Sequence, residues 1–354
     1  MKRKLSALSL VLALALCFTA CSSDKPSADS AGGSAASPAQ ARVISLKVSH
    51  PRPIDSDNDI LTKKFLAEVQ QALGEARFTY KIYPNSELGD YTVVQEAVSM
   101  GEVGMCMQSV STNVDQSLTL ATAPYLVENW AQARAAYNST DGVVSLYIRQ
   151  QLEKQNIRLL AMIPKYFNAI SAGKEPASVK DLFAPKGMKM RVPTMKSYEL
   201  VAKTLGYEAT PMNFSEVFTS MQTGIVDGCF GGGPEAFYSN LREVTKYLLL
   251  YRNAFEPHWL MMNLDDWKAF SPEEQAQVTK IAADLEAYAF DEAEKNDRKY
   301  IDLLRDGGTV IIDFSDEQVA EISRKVRTEV WPQLESVFGK ETFDKVKAAI
   351  GFAG

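Results

Sequence analysis

The segment ISLKVSHPRPIDSDNDILTKKFLAEVQQALGEARFTYKIY, residues 44–83, predicts a strand, a helix and a second strand. Apolar and polar residues alternate over 44–48 and again over 78–82, which is the period of a strand. Apolar residues at helical spacing run over 61–73, and Gly74 follows as a stop. A crossover of this length allows the two strands to pair in parallel. Because the pattern recurs to about residue 265, the chain is predicted to be an α/β protein with sheets covered on both faces.

The C-terminal part begins with a helix signal of a different kind. The tetrapeptide SPEE at 271–274 is a capping box with proline at the first helical position, and apolar spacing continues to Gly307. A helix over about 272–306 would be roughly 50 Å long, longer than a small lobe is wide. Its middle is almost wholly charged, so we expect one helix that touches two lobes and is exposed between them. Two helices broken near Asn296 are the alternative.

Composition excludes several classes of function. The 354 residues exceed the usual size of a single core, so two lobes are expected. A net charge of −6 argues against nucleic-acid binding, and two histidines leave little for a metal or histidine-based hydrolase site. Two of the four cysteines lie in the N-terminal leader, so Cys106 and Cys229 are predicted to be free and buried, although they could face each other. No metal, cofactor or nucleic-acid partner is predicted.

The N-terminus predicts export and a lipid anchor. Basic residues precede a short apolar run and small residues before Cys21, which is typical of a bacterial lipoprotein signal peptide over residues 1–20. The run is too short to span a bilayer, which takes roughly 20 apolar residues. Residues 21–42 contain almost nothing that can be buried and are predicted to be a flexible tether. We therefore expect a body held at the membrane, in the periplasm or at the cell surface, by lipid on Cys21.

One basic strand stands out among the candidate functional segments. In KGMKMRVP, residues 186–193, Arg191 shares a face with Lys189 and Pro193, while the other face is apolar. Taken alone, this pattern fits a surface arginine as well as a binding one. The triglycine at 231–233 lacks the residues of a phosphate loop, and no nucleophile-elbow motif occurs.

The chain resembles the solute-binding subunits of tripartite ATP-independent periplasmic (TRAP) transporters over about residues 44–345. Four segments carry the resemblance in the family's order: YPNSELGDYTVVQEAVSMGEVGM (83–105), APYLVENW (123–130), KGMKMRVP (186–193) and ATPMNFSEVFTSMQTGIVDG (209–228). The resemblance implies a two-lobed periplasmic binding protein with a central cleft and a long helix bridging both lobes.

The same resemblance suggests boundaries for the two lobes. The first lobe is expected to comprise residues 43–165 and about 254–290. The second lobe is expected to comprise 166–253 and about 300–354.

The resemblance also implies the ligand site. Arg191 matches the arginine that pairs with the ligand carboxylate in this family, and Phe214 matches the aromatic residue beside the ligand. Two positions depart from the family pattern: Asn168 stands where many members have a second arginine, and Gly231 stands where the family has an asparagine. Gln108, at the end of a strand, could line the first lobe's side of the cleft.

Because they remove one cation and one amide, these departures argue against a ligand with two or more carboxylates. Four aromatic residues near the site, Tyr166, Phe167, Phe230 and Trp259, favour a monocarboxylate with an apolar or aromatic body.

The function indicated is that of an extracytoplasmic receptor, not an enzyme. It would close on a small organic acid by hinge motion and deliver it to the membrane subunits of a TRAP transporter. A solute receptor of an ATP-driven importer is one alternative. An extracytoplasmic hydrolase or lyase is another, and it would need Asp227 or Glu235 as a general base near Arg191.

Overall fold

The computed structural model describes residues 43–352. The predicted signal peptide, the lipid-bearing Cys21 and the tether over 21–42 lie outside the described residues. Within the described part of the chain, none of the helices is both long enough and apolar enough to cross a membrane.

Strands and helices alternate through most of the chain. The strands are β1 Ile44–Ser49, β2 Phe78–Tyr83, β3 Met105–Gln108, β4 Ile157–Phe167, β5 Ala169–Ala172, β6 Lys189–Val192, β7 Glu208–Pro211, β8 Gly228–Gly232, β9 Tyr247–Leu249, β10 Phe255–Asn263 and β11 Val310–Ile312. The helices are α1 Asp57–Leu73, α2 Tyr91–Met100, α3 Trp130–Tyr137, α4 Val143–Glu153, α5 Lys196–Thr204, α6 Val217–Gln222, α7 Pro234–Leu241, α8 Leu264–Lys268, α9 Pro272–Asp306, α10 Asp316–Phe338 and α11 Lys340–Ala349. Short 3-10 helices cover Gln116–Thr122 and Phe214–Glu216.

The strands form two sheets, one for each lobe. The first has the order β2-β1-β3-β10-β4 and the second the order β11-β9-β5-β8-β6-β7. The predicted first strand and second strand pair in parallel, with Ile44 opposite Phe78, and the predicted helix between them is α1. The two-lobed α/β fold is therefore confirmed.

Along the described chain, successive strands change from one sheet to the other three times. Strand β4 belongs to the first sheet and β5, which follows after Asn168 alone, belongs to the second. The return lies between β9 in the second sheet and β10 in the first. A third crossing leads through α9 from β10 to β11 in the second sheet. The first two crossings lie near residues 165 and 254, and the lobe boundaries given for those positions stay a prediction.

Helix α9 runs unbroken over the residues predicted for it, so the alternative break near Asn296 does not occur. The capping box at Ser271 is formed, with its hydroxyl accepting from the Glu274 amide. In the first lobe, the buried Glu286 carboxylate accepts the amides of Ser139 at 2.7 Å and Met162 at 2.9 Å. Near the other end, Leu304 packs in the core of the second sheet. The helix is thereby attached to both lobes.

The C-terminal tail, for which the second lobe was predicted, contacts elements next to both sheets. The indole of Trp331 on α10 donates to the Pro124 carbonyl at 2.8 Å, just after the 3-10 helix Gln116–Thr122. On the same helix, Glu329 accepts from Thr204 of α5 in the second lobe at 3.0 Å. Helix α11 packs against α3 and α4. Helix α10 packs against α5 on one side and against the 3-10 helix Gln116–Thr122 on the other, which brings the tail into contact with both lobes.

Candidate functional site

A cavity lies between the two lobes, at the ends of strands from both sheets. Its empty space, including the part open to solvent, is about 650 Å³. The loop after β1, the start of α2, the loop after β3 and the first residues of β10 line one side. Strand β6, the 3-10 helix at Phe214 and strand β8 line the other.

Hydrogen bonds join the two lobes at the cavity mouth. Thr194, which follows β6, accepts from Asn113 at 2.8 Å and lies 3.4 Å from the Tyr91 hydroxyl. Ser215 donates to Asp90 at 3.4 Å. The lobes are thus in contact beside the cavity.

Arg191 reaches the cavity from the second lobe. Strand β6 pairs with β7 and β8, and the apolar face predicted for it packs in the core, so Arg191 is only 1% exposed. Its Nε donates to the Met212 carbonyl and its Nη1 to the Phe230 carbonyl, each at 3.0 Å. Its Nη2 has no hydrogen-bond partner among residues 43–352, and the side chain lines the cavity. These bonded partners are neutral, so the guanidinium is held in place and, among residues 43–352, has no acid as a direct hydrogen-bond partner.

Phe214 also lines the cavity, where the family resemblance places it. Its ring is half-buried and lies 5.5 Å from the guanidinium carbon of Arg191. A second guanidinium, that of Arg52, lies 5.0 Å from the same ring.

Arg52 is a cavity residue that the sequence analysis missed. It follows β1 and is 5% exposed. Its Nη2 donates to the Tyr166 hydroxyl at 3.0 Å and its Nε to Glu235 at 3.4 Å. The signal that could have found it is its position directly after a parallel strand, where ligand sites of α/β proteins form. The cavity therefore has two cations, whereas the departure at Asn168 led us to expect one.

Gly231 lines the cavity through its backbone, as expected from the absence of a side chain. Its φ of +75° is in the left-handed region that favours glycine. A Cβ here would lie 2.4 Å from Cγ of Pro193, the residue that directly follows β6. The backbone of β8 can approach Pro193 only because residue 231 has no Cβ.

Phe230 and Trp259 do not line the cavity, so the prediction that they contact the ligand receives no support from their positions. Both are fully buried in the main hydrophobic core. The ring of Phe230 packs edge-on against Tyr207, with centroids 5.3 Å apart, and only its carbonyl points towards Arg191. Trp259 lies in the middle of the first sheet, between Gln108 on β3 and Met162 on β4.

Asn168 and Gln108 lie one layer behind the cavity wall. The Asn168 amide donates to the Tyr198 hydroxyl at 2.6 Å, and the Gln108 amide donates to the Tyr91 carbonyl at 2.6 Å. Tyr198 and Tyr91 line the cavity themselves. The two predicted residues therefore hold wall residues in place and are not positioned to touch a ligand.

Only one of the four aromatic residues that suggested an apolar or aromatic ligand lines the cavity, and the hypothesis itself stays a prediction. That residue is Tyr166, and its hydroxyl is bonded to Arg52. Phe167 packs against Trp130 and Phe255, with centroids 5.2 and 5.6 Å apart. Hydroxyl, carboxyl and guanidinium groups share the cavity wall with apolar side chains and with three other aromatic residues, Tyr91, Tyr198 and Phe214.

Two of these polar groups are buried on β10. Burial raises the pKa of Glu256 to about 7, although Ser109 and the charges of Arg52 and Arg191 oppose the shift. Burial lowers the pKa of His258 well below its usual value, and its Nδ1 lies 2.6 Å from the Asn58 amide oxygen. His258 is therefore neutral at physiological pH, whereas Glu256 titrates close to that pH.

The two acids proposed as alternative general bases are poorly suited to that role. Burial by itself raises the pKa of Glu235, but Lys165 and Arg52 outweigh it and leave the pKa below its usual value. Asp227 accepts the Lys189 amide at 2.9 Å and pairs with Lys174 at 2.8 Å. Neither acid lines the cavity.

Cys106 and Cys229 are both free and buried, as predicted. They lie in different sheets, on β3 and β8. Among the residues that the structure describes, no cluster of histidine, cysteine, aspartate and glutamate side chains is arranged to hold a metal ion.

Known proteins share both the sequence pattern and the fold. The family model of the bacterial extracellular solute-binding proteins, family 7, matches residues 52–336. The C4-dicarboxylate-binding periplasmic protein DctP of Rhodobacter capsulatus is 26% identical over 315 residues, which are 88% of this chain and 92% of that protein.

Two crystal structures show the same fold. The sugar acid binding protein of Advenella mimigardefordensis in complex with galactonate has a TM-score of 0.78 at 21% identity, covering 88% of this chain and 99% of that chain. A TRAP periplasmic solute-binding protein of Haemophilus influenzae with bound L-gulonate has a TM-score of 0.76 at 22% identity, covering 86% and 99%.

Proposed function

Because this chain belongs to family 7 of the bacterial extracellular solute-binding proteins, the family of TRAP solute receptors, we propose that it binds a small organic acid anion in the cavity between its lobes. The relatives support this ligand class. They include a C4-dicarboxylate-binding protein and structures that hold galactonate and L-gulonate, all of them carboxylates.

The observation that carries the proposal is the free Nη2 of the buried Arg191. The guanidinium is fixed by two backbone carbonyls, so it needs no reorganisation to receive a ligand. A carboxylate that accepts from it gains charge-assisted bonds of about 1.5–3 kcal/mol each. Since no acid pairs directly with Arg191 among residues 43–352, the ligand carboxylate supplies the missing negative charge.

Arg52 has a supporting role in the same proposal. Its charge is offset by Glu235, but it lies on the ring of Phe214 that Arg191 also contacts. The ligand would therefore lie beside Phe214 with its carboxylate towards Arg191, and with Arg52 as a weaker second contact from the first lobe.

Closure of the lobes is the second part of the proposal. The bonds across the mouth join Asp90, Tyr91 and Asn113 of one lobe to Thr194 and Ser215 of the other. A ligand held by Arg191 in one lobe and Arg52 in the other would favour this closed form. The closed receptor, held at the membrane through Cys21, would then deliver the anion to the membrane subunits of a TRAP transporter.

A catalytic role has less support. Glu235 is committed to Arg52 and Lys165, and Asp227 lies outside the cavity. We therefore propose a receptor without turnover.

A thermal-shift screen of residues 22–354 against organic acids tests the function. The panel contains hydroxylated monocarboxylates, dicarboxylates and aromatic acids, and Arg191→Ala is screened in parallel. A ligand at about a hundred times its dissociation constant adds about 2.7 kcal/mol of stability, which the screen detects. Arg242→Ala is the matched control, since Arg242 is exposed and bonds only helix carbonyls of α7.

We expect at least one class of acid to stabilise the parent and the Arg242 variant but not the Arg191 variant. If no acid acts, or if Arg191→Ala responds like the parent, the proposed carboxylate site is wrong. Conversion of a bound acid into a product would refute the proposal that the protein is a receptor without catalytic turnover.

A further inference from the structure

Glu256 presents one carboxyl oxygen to the cavity without a partner. It is the second residue of β10, is 7% exposed and lies opposite Tyr166 of β4. Its Oε1 accepts a hydrogen bond from the Ser109 hydroxyl. Its Oε2 has no hydrogen-bond partner among residues 43–352, and the side chain lines the cavity. A carboxyl oxygen that lines the cavity and has no protein partner is available to bond a polar group of a ligand.

The charges around Glu256 are mostly positive. Arg52, Lys165 and Arg191 all act on it. Asp90 is the other acid of the cavity wall, and it accepts from Ser215 at the mouth. Arg52 and Lys165 are already paired with Glu235, so Arg191 is the cation left for a ligand carboxylate.

The remaining titratable neighbours are neutral at physiological pH. His258 lies on the same strand, and burial lowers its pKa. The phenols of four tyrosines from α2, α3, β4 and α5 also face this carboxyl, and burial raises the pKa of each: Tyr91, Tyr137, Tyr166 and Tyr198. Glu256, with a pKa of about 7, is therefore a group of this cavity whose charge changes near neutral pH. Burial also raises the pKa of Asp90, the other acid of the wall.

We propose that Glu256 selects the ligand class: its free oxygen bonds a hydroxyl group of the bound acid and excludes a second carboxylate. This inference rests on the proposed function, in which the ligand's first carboxylate pairs with Arg191. The preferred ligand is then a hydroxylated monocarboxylate.

The physical basis is the different hydrogen-bonding capacity of the two ligand groups. A hydroxyl donates to an ionised carboxylate and accepts from a protonated one, so it satisfies Glu256 in either form. A second carboxylate can only accept, and two carboxylates in contact must share a proton. Binding of a dicarboxylate must therefore take up a proton, and its affinity must fall as the pH rises.

Titration calorimetry at pH 6 and pH 8 tests this difference. The hydroxylated probes are galactonate, gulonate and erythronate, and the dicarboxylate probes are succinate, fumarate and glutarate. Since the pKa of Glu256 is about 7, this range covers its titration. The affinity for hydroxylated acids should change less than about threefold, while that for dicarboxylates should fall about tenfold.

Glu256→Gln removes the charge and keeps the shape of the side chain. At pH 8 it should bind dicarboxylates about tenfold more tightly than the parent, and the dependence of that affinity on pH should vanish. Glu243→Gln is the control, because Glu243 is exposed and distant from the cavity wall. An unchanged ratio of dicarboxylate to hydroxy-acid affinity in Glu256→Gln would overturn the proposal.

A measurement on the parent protein keeps the test decisive if the variant fails to fold. Calorimetry at pH 8 in two buffers of different ionisation enthalpy counts the protons taken up on binding. We expect close to one proton for a dicarboxylate and close to none for a hydroxylated acid.

Equal proton uptake for both classes, or binding of dicarboxylates alone, would refute the role of Glu256 while leaving the receptor function intact. Failure of every acid to bind would instead refute the receptor function.

Discussion

Two arginines, Arg191 and Arg52, meet at one ring and yet differ in what they offer a ligand. Both are buried, and their guanidinium carbons lie 5.5 and 5.0 Å from the ring centre of Phe214. Arg191 is bonded to two neutral carbonyls, whereas Arg52 is bonded to the Glu235 carboxylate and a tyrosine hydroxyl.

The comparison teaches that burial alone does not identify a ligand anchor. Carbonyl partners orient a guanidinium and leave its charge in place, while a carboxylate partner orients it and offsets the charge. We therefore expect Arg191 to dominate anion affinity and Arg52 to adjust it. The following experiments test that ranking, from the largest effect to the smallest.

Arg191→Ala should weaken binding of the cognate acid at least about 100-fold. The variant loses the guanidinium charge and its charge-assisted bonds, which are worth about 1.5–3 kcal/mol each. Arg191→Lys should recover only part of the affinity, because an ammonium group cannot copy the planar fork. Calorimetry on both variants, with Arg242→Ala as control, measures the effect. Near-parent affinity in Arg191→Ala would reverse the ranking of the two arginines.

Gly231→Ala should destabilise the wall that carries Arg191 by about 2 kcal/mol, because it combines strain at positive φ with a clash against Pro193. Gly187→Ala is the matched control. Gly187 also has a positive φ, of +61°, but its Cβ would meet no atom within 4 Å. Urea unfolding of both variants measures the difference, and equal losses of stability would show that the close approach of β8 to Pro193 is unimportant.

Arg52→Gln should weaken binding by only about tenfold, since Glu235 already offsets much of its charge. Glu235→Gln should act in the opposite direction and strengthen anion binding, because it leaves Arg52 and Lys165 without their shared carboxylate. The same variant should be less stable, since buried cations are then unpaired. Calorimetry below the melting temperature separates the two effects; weaker anion binding by Glu235→Gln would contradict the proposed offset.

The acids near the two arginines should also differ in how they make stability depend on pH. Glu256 has a folded-state pKa of about 7, above its ordinary value of 4.5, so the folded protein holds the proton more strongly than the unfolded chain. Its contribution to the unfolding free energy is therefore present below pH 4.5 and is lost as the pH rises to about 7. Glu235, whose pKa is lowered, contributes in the opposite direction, because its stabilisation is lost only in acid.

Urea unfolding of the parent and Glu256→Gln between pH 4.5 and 8 measures this small effect. The parent should lose more stability than the variant as the pH rises. Parallel curves for the two proteins would show that Glu256 is not protonated in the empty site.

Sequence patterns predicted the elements that depend on local periodicity. The parallel pair β1 and β2, the helix between them and the capped helix α9 follow from spacing within one segment. The resemblance to the family also identified three residues that line the cavity: Arg191, Phe214 and Gly231.

The other predicted site residues show where such reasoning ends. Both faces of the central strands are buried, so alternation along β10 cannot separate the cavity face from the core face. For this reason Trp259 was predicted at the ligand but packs in the core, while Glu256, three residues earlier, lines the cavity.

By itself, the sequence determined the fold class, the position of the long helix and the strand that carries Arg191 to the cavity, because each follows from residues close together along the chain. Only the tertiary structure decided the partners of the charges. Arg52 meets Glu235 across 183 residues of chain, and this pair depends on how the two lobes are placed against each other. Ser109 meets Glu256 across 147 residues, and this pair depends on β3 and β10 lying side by side in one sheet. Whether a buried charge is offset or left for a ligand is therefore a property of the assembled cavity.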